Sequence, residues 1–221
     1  AVSAQFVAAF LKCLPLLINK SGKSTLISDA CHHQRLDVSE HGLVNNGSKV
    51  TLAQTTVGSG SSITGDAEGT TEMSKLSVSD GGFVDTQGSL TVTTGGVEVA
   101  AGSRADAAGT FTVAGGIDNA GSMSVGTLVS TGTVTNSGTM DVTTMTSAGS
   151  ISNSGTFGAD TLTFSGTDNT FTNTAGTATL GTVTRRGRAG LLFAIRRKVS
   201  LRKTTLAFCF PPIPVIFLPS L

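Results

Sequence analysis

The 221-residue sequence predicts an all-β fold: a right-handed parallel β-helix (β-solenoid) with rungs of about 17 residues, flanked by non-repeat terminal segments. Three observations carry this. Gly121, Gly138 and Gly155 recur at one fixed interval, and the columns beside them keep their chemistry: Ile117, Val134 and Ile151; Asn119, Asn136 and Asn153; Met123, Met140 and Phe157; Val125, Val142 and Ala159; Leu128, Met145 and Leu162. The copies are built from Gly, Ser, Thr and Asn, which are poor in helix interiors. Within a copy, Ile117, Asn119, Gly121, Met123 and Val125 share one parity, so alternate side chains face one side, as on a strand.

One copy holds too few apolar groups to offset its own ordering entropy, but stacked copies continue each apolar column into the next rung. Consecutive coils are expected to pair in parallel at about 4.8 Å, and the right hand follows from the general chirality of parallel crossovers. Glycine suits the corners. Asn119, Asn136 and Asn153 are expected to form a structural turn ladder, stacked at one bend and bonded along the column; the other reading of that column is a polar binding face.

Taken in order, residues 1–41 do not resemble the repeats. Val2 to Ile18 is apolar enough for a short helix or a signal-type apolar region, interrupted by Lys12 and Pro15. The preferred reading is an amphipathic cap or leader-like segment over the first rung, since an open rung exposes unpaired backbone groups. Ser21-Gly22-Lys23-Ser24-Thr25 suggests a phosphate loop, but position 17 is Leu17 where that loop needs glycine. Cys31, His32 and His33 have no second pair at ligand spacing, which favours a surface turn over a metal site. Cys13, Cys31 and Cys209 form no disulfide framework.

Residues 42–183 are the expected solenoid domain. Gly88-Ser-Leu90-Thr-Val92 and Gly109-Thr-Phe111-Thr-Val113 match Gly121-Ser-Met123-Ser-Val125, and the pairs Gly81-Gly82, Gly95-Gly96 and Gly115-Gly116 mark bends. About eight rungs fit, giving a rod of roughly 40 Å. Between Gly155 and Gly176 four extra residues are expected to leave the rod as a loop near Asp168-Asn169-Thr170.

Residues 184–221 break with this grammar. Eight basic residues and no acidic one fall here, whereas residues 42–183 hold three basic residues against eleven acidic ones, a net of −8. The basic residues cluster around Leu191 to Ile195, and a basic amphipathic helix for anionic lipid or nucleic acid is one reading. Leu206 to Leu221 is apolar but broken by four prolines and too short to span a bilayer as a helix. Disorder, and a segment not native to the fold, are the other readings of this basic and apolar tail.

The motifs Asn136-Ser-Gly138-Thr139-Met140 and Asn153-Ser-Gly155-Thr156-Phe157 resemble the repeats of bacterial autotransporter passengers and filamentous-haemagglutinin-type exoproteins. The double-glycine segment from Val78 to Gly116 is similar to repeats of diffuse-adherence adhesins. The resemblance covers residues 42–183. It implies a non-catalytic adhesin or structural rod, secreted or at the bacterial cell surface and associated with the outer membrane. Its implied partners are a host receptor, glycan or matrix surface, with self-association; no specific nucleic acid is expected.

No catalytic, cofactor-binding or metal-binding constellation is expected, and no cofactor. Two other functions compete. A polysaccharide-degrading β-helix enzyme needs paired carboxylates on one face, and Asp118, Asp141 and Asp160 sit at differing offsets from the repeat glycine. An ice- or surface-binding solenoid would use the Thr-x-Thr columns Thr144, Thr146, Thr161, Thr163, Thr182 and Thr184; Thr127-Leu128-Val129 keeps half of that pattern. Threonine also simply suits exposed strand positions.

Overall fold

The computed structural model describes residues 16–18, 24–26, 31–38, 42–45, 49–167, 169–185, 192–195 and 199–201, with side chains for 49–167 and 169–185. Fifteen strands between Lys49 and Arg185 wind about seven turns of a parallel β-solenoid, with no helix among the described residues. At the spacing of paired strands, seven turns make a rod of about 34 Å.

Each turn has three faces. The Asn face contains Val97–Val99, Ile117–Asn119, Val134–Asn136, Ile151–Asn153 and Thr170–Asn173, paired in that order. The other two faces share long strands in the later coils: Arg104–Val113, Ser122–Ser130, Thr139–Ser147, Thr156–Phe164 and Thr177–Arg185. Their first halves form the Met face and their second halves the Thr face. In the earlier coils the continuous strand sits elsewhere. Lys49–Val57 and Thr70–Val78 run from the Thr face into the Asn face without a break, since Thr70–Val78 pairs with Ser89–Val92 by its first half and with Val97–Val99 by its second. Between the two regimes lies a coil of three separate short strands, Phe83–Thr86, Ser89–Val92 and Val97–Val99. The unbroken corner therefore moves by one face along the rod.

The burial alternates as period two demands: Thr139–Ser147, for example, turns Met140, Val142, Met145 and Ser147 inward. The predicted columns stack as apolar ladders. Met123, Met140 and Phe157 are paired neighbours, as are Leu128, Met145 and Leu162, and Ile117, Val134 and Ile151. All are at most 2 % exposed. Burying one such large side chain contributes about 1.5–3 kcal/mol, and only the neighbouring rung supplies the cover. In one coil the inward residues of the Met face are the small Ala105 and Ala107, while the Thr face carries the large Phe111. Across the core the Phe157 and Phe171 rings meet edge to face, with centroids 5.6 Å apart.

The step between rungs varies. It is 17 residues from Ser122–Ser130 to Thr156–Phe164, but 21 from Lys49 to Thr70 and 19 from Thr70 to Ser89. The average is nearer 20 than the expected 17, which is why fewer turns fit. Corners absorb the difference. At the corner leaving the Asn face, Val57, Val78 and Val99 are each followed by four residues, and Asn119, Asn136 and Asn153 by two. The corner Ser79–Gly82 needs left-handed backbone at Asp80 (φ 53°) and Gly81 (φ 79°), closed by Gly82 N–H donating to the Ser79 carbonyl at 2.8 Å.

Several expectations are corrected here. The four extra residues before Gly176 are not one loop. Ile151 pairs with Phe171, 20 residues on, and Thr156 with Thr177, 21 on; three residues enter the first corner and the fourth enters the next. Asn169 is buried and donates to the carbonyls of Ala148 and Gly149, so this corner is tied onto the rung below; Asp168 lies outside the described residues. Parallel pairing is also present outside residues 42–183. Cys31–Val38 pairs in parallel with Lys49–Val57, Leu192–Ile195 with Thr170–Asn173, and Val199–Leu201 with Ala178–Leu180. Cys31, His32 and His33 thus lie on a strand rather than a turn, and Leu192–Ile195 is strand rather than basic helix. Leu16–Ile18, expected as the end of a helical cap, pairs antiparallel with Ser24–Leu26. The rest of the cap and of the tail lies outside the described residues.

Two inward threonines, Thr55 and Thr86, carry buried hydroxyls without a partner. Thr86 is 2 % exposed, its hydroxyl has no hydrogen-bond partner, and the column continues to Ala107 above it. Replacing an orphaned buried hydroxyl by a methyl of similar shape removes a desolvation penalty. Thr86→Val is expected to stabilise the chain by about 1 kcal/mol, read as a raised midpoint in urea with an unchanged slope.

Candidate functional site

The Asn column is built by the corner after the Asn face. Asn119, Asn136, Asn153 and Asn173 occupy the inward place that Val57, Val78 and Val99 hold in earlier rungs, and all four are fully buried. Their amides form a chain: Asn119 Nδ2 donates to Asn136 Oδ1 at 2.7 Å, Asn136 to Asn153 at 2.7 Å, and Asn153 to Asn173 at 2.6 Å. Each also donates to a backbone carbonyl of the rung above, at Thr139, Thr156 and Thr177. The side chain thereby replaces bonds that a longer corner would make through its own backbone. The column faces the interior, so it is no polar binding face. Its two ends are chemically open: Asn119 Oδ1 and Asn173 Nδ2 are buried without a partner.

The six threonines of the Thr-x-Thr columns all point outward from the Thr face and are half-buried by their neighbours. Thr144, Thr161 and Thr182 are paired in one column, and Thr146, Thr163 and Thr184 in another. The register carries both columns through two further rungs. Thr110 and Thr127 extend the first column; Thr112 and Val129 extend the second. Two columns of five therefore run side by side, with nine threonines and one valine. Thr110 and Thr112 were missed because Gly109-Thr-Phe111 was aligned with Gly121-Ser-Met123, which belongs to another face. The signal that finds them is the Thr-apolar-Thr triplet itself, without the glycine.

The carboxylates singled out by sequence do not converge. Asp118 points outward from the Asn face and Asp141 from the Met face, while Asp160 stands at the corner between the Met and Thr faces. The structure instead pairs carboxylates at longer steps. Glu98 and Asp118 are register neighbours, as are Asp85 and Asp106. Glu98 and Asp118 border an open groove of about 440 Å³ on the Asn face, with Lys75, Gly116, Thr133 and Thr135. Lys75 Nζ lies 3.7 Å from Glu98 Oε2. On the Met face Arg104 pairs with Asp106 and lies over the Phe83 ring, 5.7 Å from its centroid. The hydrogen bond to Asp106, then the Asp106 charge, then Asp85, hold the guanidinium pKa above its ordinary value.

Among the described residues, no group of three or more His, Cys, Asp or Glu could hold a metal ion, and no helix is long and apolar enough to cross a membrane. Comparisons with protein-family models, with curated proteins and with solved structures found no match.

Proposed function

We propose that this chain is a non-catalytic rod, a passenger-like segment of a secreted or surface-displayed bacterial adhesin or stalk. The observation that carries the reading is the continuity of the interior: inward columns run through about seven turns, closed by corners of two to a few residues. Such a body is stiff along its axis and offers long faces rather than an enclosed cavity, which suits spacing and multivalent contact. The absence of cysteine between Cys31 and Cys209 agrees with passage across membranes as an unfolded chain. The implied partners are a host receptor, glycan or matrix surface, and further copies of the chain; the basic tail would contact anionic membrane. No cofactor is assigned.

The full chain, displayed on a non-adherent bacterium, is expected to confer retention on host matrix or glycan-coated surfaces. Retention no greater than that of an undisplayed control sinks the adhesive part of the reading. A second reading, a polysaccharide-degrading enzyme, is favoured by one observation. Glu98 and Asp118 are register neighbours on adjacent rungs beside a groove, and paired carboxylates on one face are what such an enzyme needs. Release of reducing ends from uronic-acid polymers, lost in Glu98→Gln, would replace the rod reading with that one.

A further inference from the structure

The Thr face differs from the other two in charge. From Arg104–Val113 to Thr177–Arg185, its ten outward positions carry no ionisable group: Thr110, Thr127, Thr144, Thr161 and Thr182 in one column, and Thr112, Val129, Thr146, Thr163 and Thr184 in the other. Over the same stretch the Met face carries Arg104, Asp106 and Asp141, and the Asn face carries Asp118. Of the earlier rungs of the Thr face, two are charged, at Lys49 and Glu72, and the rung next to the ten positions, with Ser89 and Thr91 outward, is not. Charge is thus kept off this face over the stretch that contains the uniform columns.

The hydroxyls there are also unspent. Corner hydroxyls bond to the rung below: Thr131 to the Ala114 carbonyl at 2.6 Å, Ser137 to Asn119, and Thr174 to Asn153. On the Thr face the one hydroxyl contact is Thr163 to Thr184, at 3.4 Å. The others make no hydrogen bond to protein among the described residues. Every one of the ten positions, Val129 included, carries a β-branched methyl. The methyl array is unbroken, and the hydroxyl array is broken once.

Spacing completes the argument. Rungs repeat at about 4.8 Å, and alternate residues along a strand at about 6.7 Å, so the face is a two-dimensional grid about 19 Å long. The insertion between Phe164 and Phe171 falls at the next corner, so Thr161 and Thr182 remain paired. A grid held by ladder bonds on both sides has its ordering entropy met in folding, so a partner with a matching repeat binds without reorganising it. A neutral partner with a repeat of a few ångströms in two directions, using hydroxyl bonds and close methyl packing together, is a crystal lattice of small hydrogen-bonding units.

We infer that the Thr face binds ice. The inference goes beyond the rod reading and depends only on the register of the five rungs. The test uses the full chain, measuring thermal hysteresis and the fraction retained in a slowly growing ice front. The unaltered chain is expected to show both. Thr144→Lys and Thr161→Lys are each expected to abolish both, whereas Ser124→Lys, at an exposed outward position on the Met face, is expected to keep both. Circular dichroism and the melting temperature of all three variants should match the parent. If Thr161→Lys melts early, Thr161→Ser takes its place; it keeps the hydroxyl and removes the methyl, and is expected to weaken hysteresis. A folded parent chain excluded from ice, an equal loss in Ser124→Lys, or retention on crystalline chitin or cellulose in place of ice would each overturn the inference and leave the rod reading standing.

Discussion

Gly138→Ala is expected to destabilise the chain by about 3 kcal/mol or more, lowering its melting temperature by roughly 6–12 °C. The reason is close approach rather than backbone conformation, because Gly138 is not among the positive-φ residues. A Cβ there would lie 2.1 Å from the Gly121 carbonyl oxygen and 2.6 Å from the Ala120 carbonyl carbon. Those are backbone atoms and cannot rotate away. The same Gly121 carbonyl accepts the Thr139 N–H at 2.8 Å, so opening the gap strains a bond of the ladder as well. The clash recurs one rung up, where a Cβ on Gly155 would meet the Gly138 carbonyl oxygen at 2.1 Å. Gly58→Ala is the matched comparison. A Cβ there meets nothing within 4 Å and the backbone is not left-handed, so the change is expected to be neutral or to stabilise by up to about 1 kcal/mol. Thermal unfolding of both variants checks the pair, and equal melting temperatures would show that the rungs are not stacked this closely at the corner.

Asn136→Leu is expected to cost about 3–5 kcal/mol, and Asn119→Leu clearly less. Asn136 is in the middle of the chain of amides. Its oxygen accepts from Asn119, and its nitrogen donates to Asn153 Oδ1 and to the Thr156 carbonyl. Leucine has nearly the same volume but strands the Asn153 oxygen and one Asn119 N–H in a dry interior, each worth about 1–3 kcal/mol when left unpaired. Asn119 lies at the lower end, where its oxygen is already without a partner above the Val99 rung, so less is lost with it. Urea unfolding of the two variants gives the order. A larger cost at Asn119 would mean that the bonds do not run along the column in this direction.

Both effects arise in the segment where the sequence was easiest to read. From Ile117 to Leu162 the steps are uniformly 17, so residues that touch across rungs also align in the sequence, and the Met, Leu and Asn columns were legible there. Between Lys49 and Val113 they were not, because steps of 19 to 21 put touching residues out of any single frame. A local motif misled as well. Gly-Ser/Thr-apolar-Ser/Thr-apolar describes any tight corner followed by a strand. Gly88 and Gly109 stack at the corner entering the Thr face, where a Cβ on Gly109 would meet the Gly88 carbonyl oxygen at 2.2 Å. Gly121 belongs to the corner entering the Met face. One motif thus served two corners of a three-sided coil.

The candidate site shares this limit. The Thr triplets in the regular rungs were visible, but Thr110 and Thr112 form the same triplet at a 17-residue step only when the register, not the preceding glycine, sets the alignment. The neighbours Glu98 and Asp118 are 20 residues apart, an interval that no 17-residue frame brings together.

Composition and parity by themselves determined that this chain is β, that alternate residues go inward, and that its coils must stack, because no single coil holds enough apolar surface to stand alone. The tertiary structure decided which residues meet. It placed similar glycine motifs at different corners, moved the unbroken corner from one face to the next, and collected threonines from five coils into one uncharged plane. Local chemistry specifies the bend and the alternation, since these depend on a residue and its immediate neighbours. Register depends on how many residues every corner in between absorbs, a quantity set by packing against the rung below.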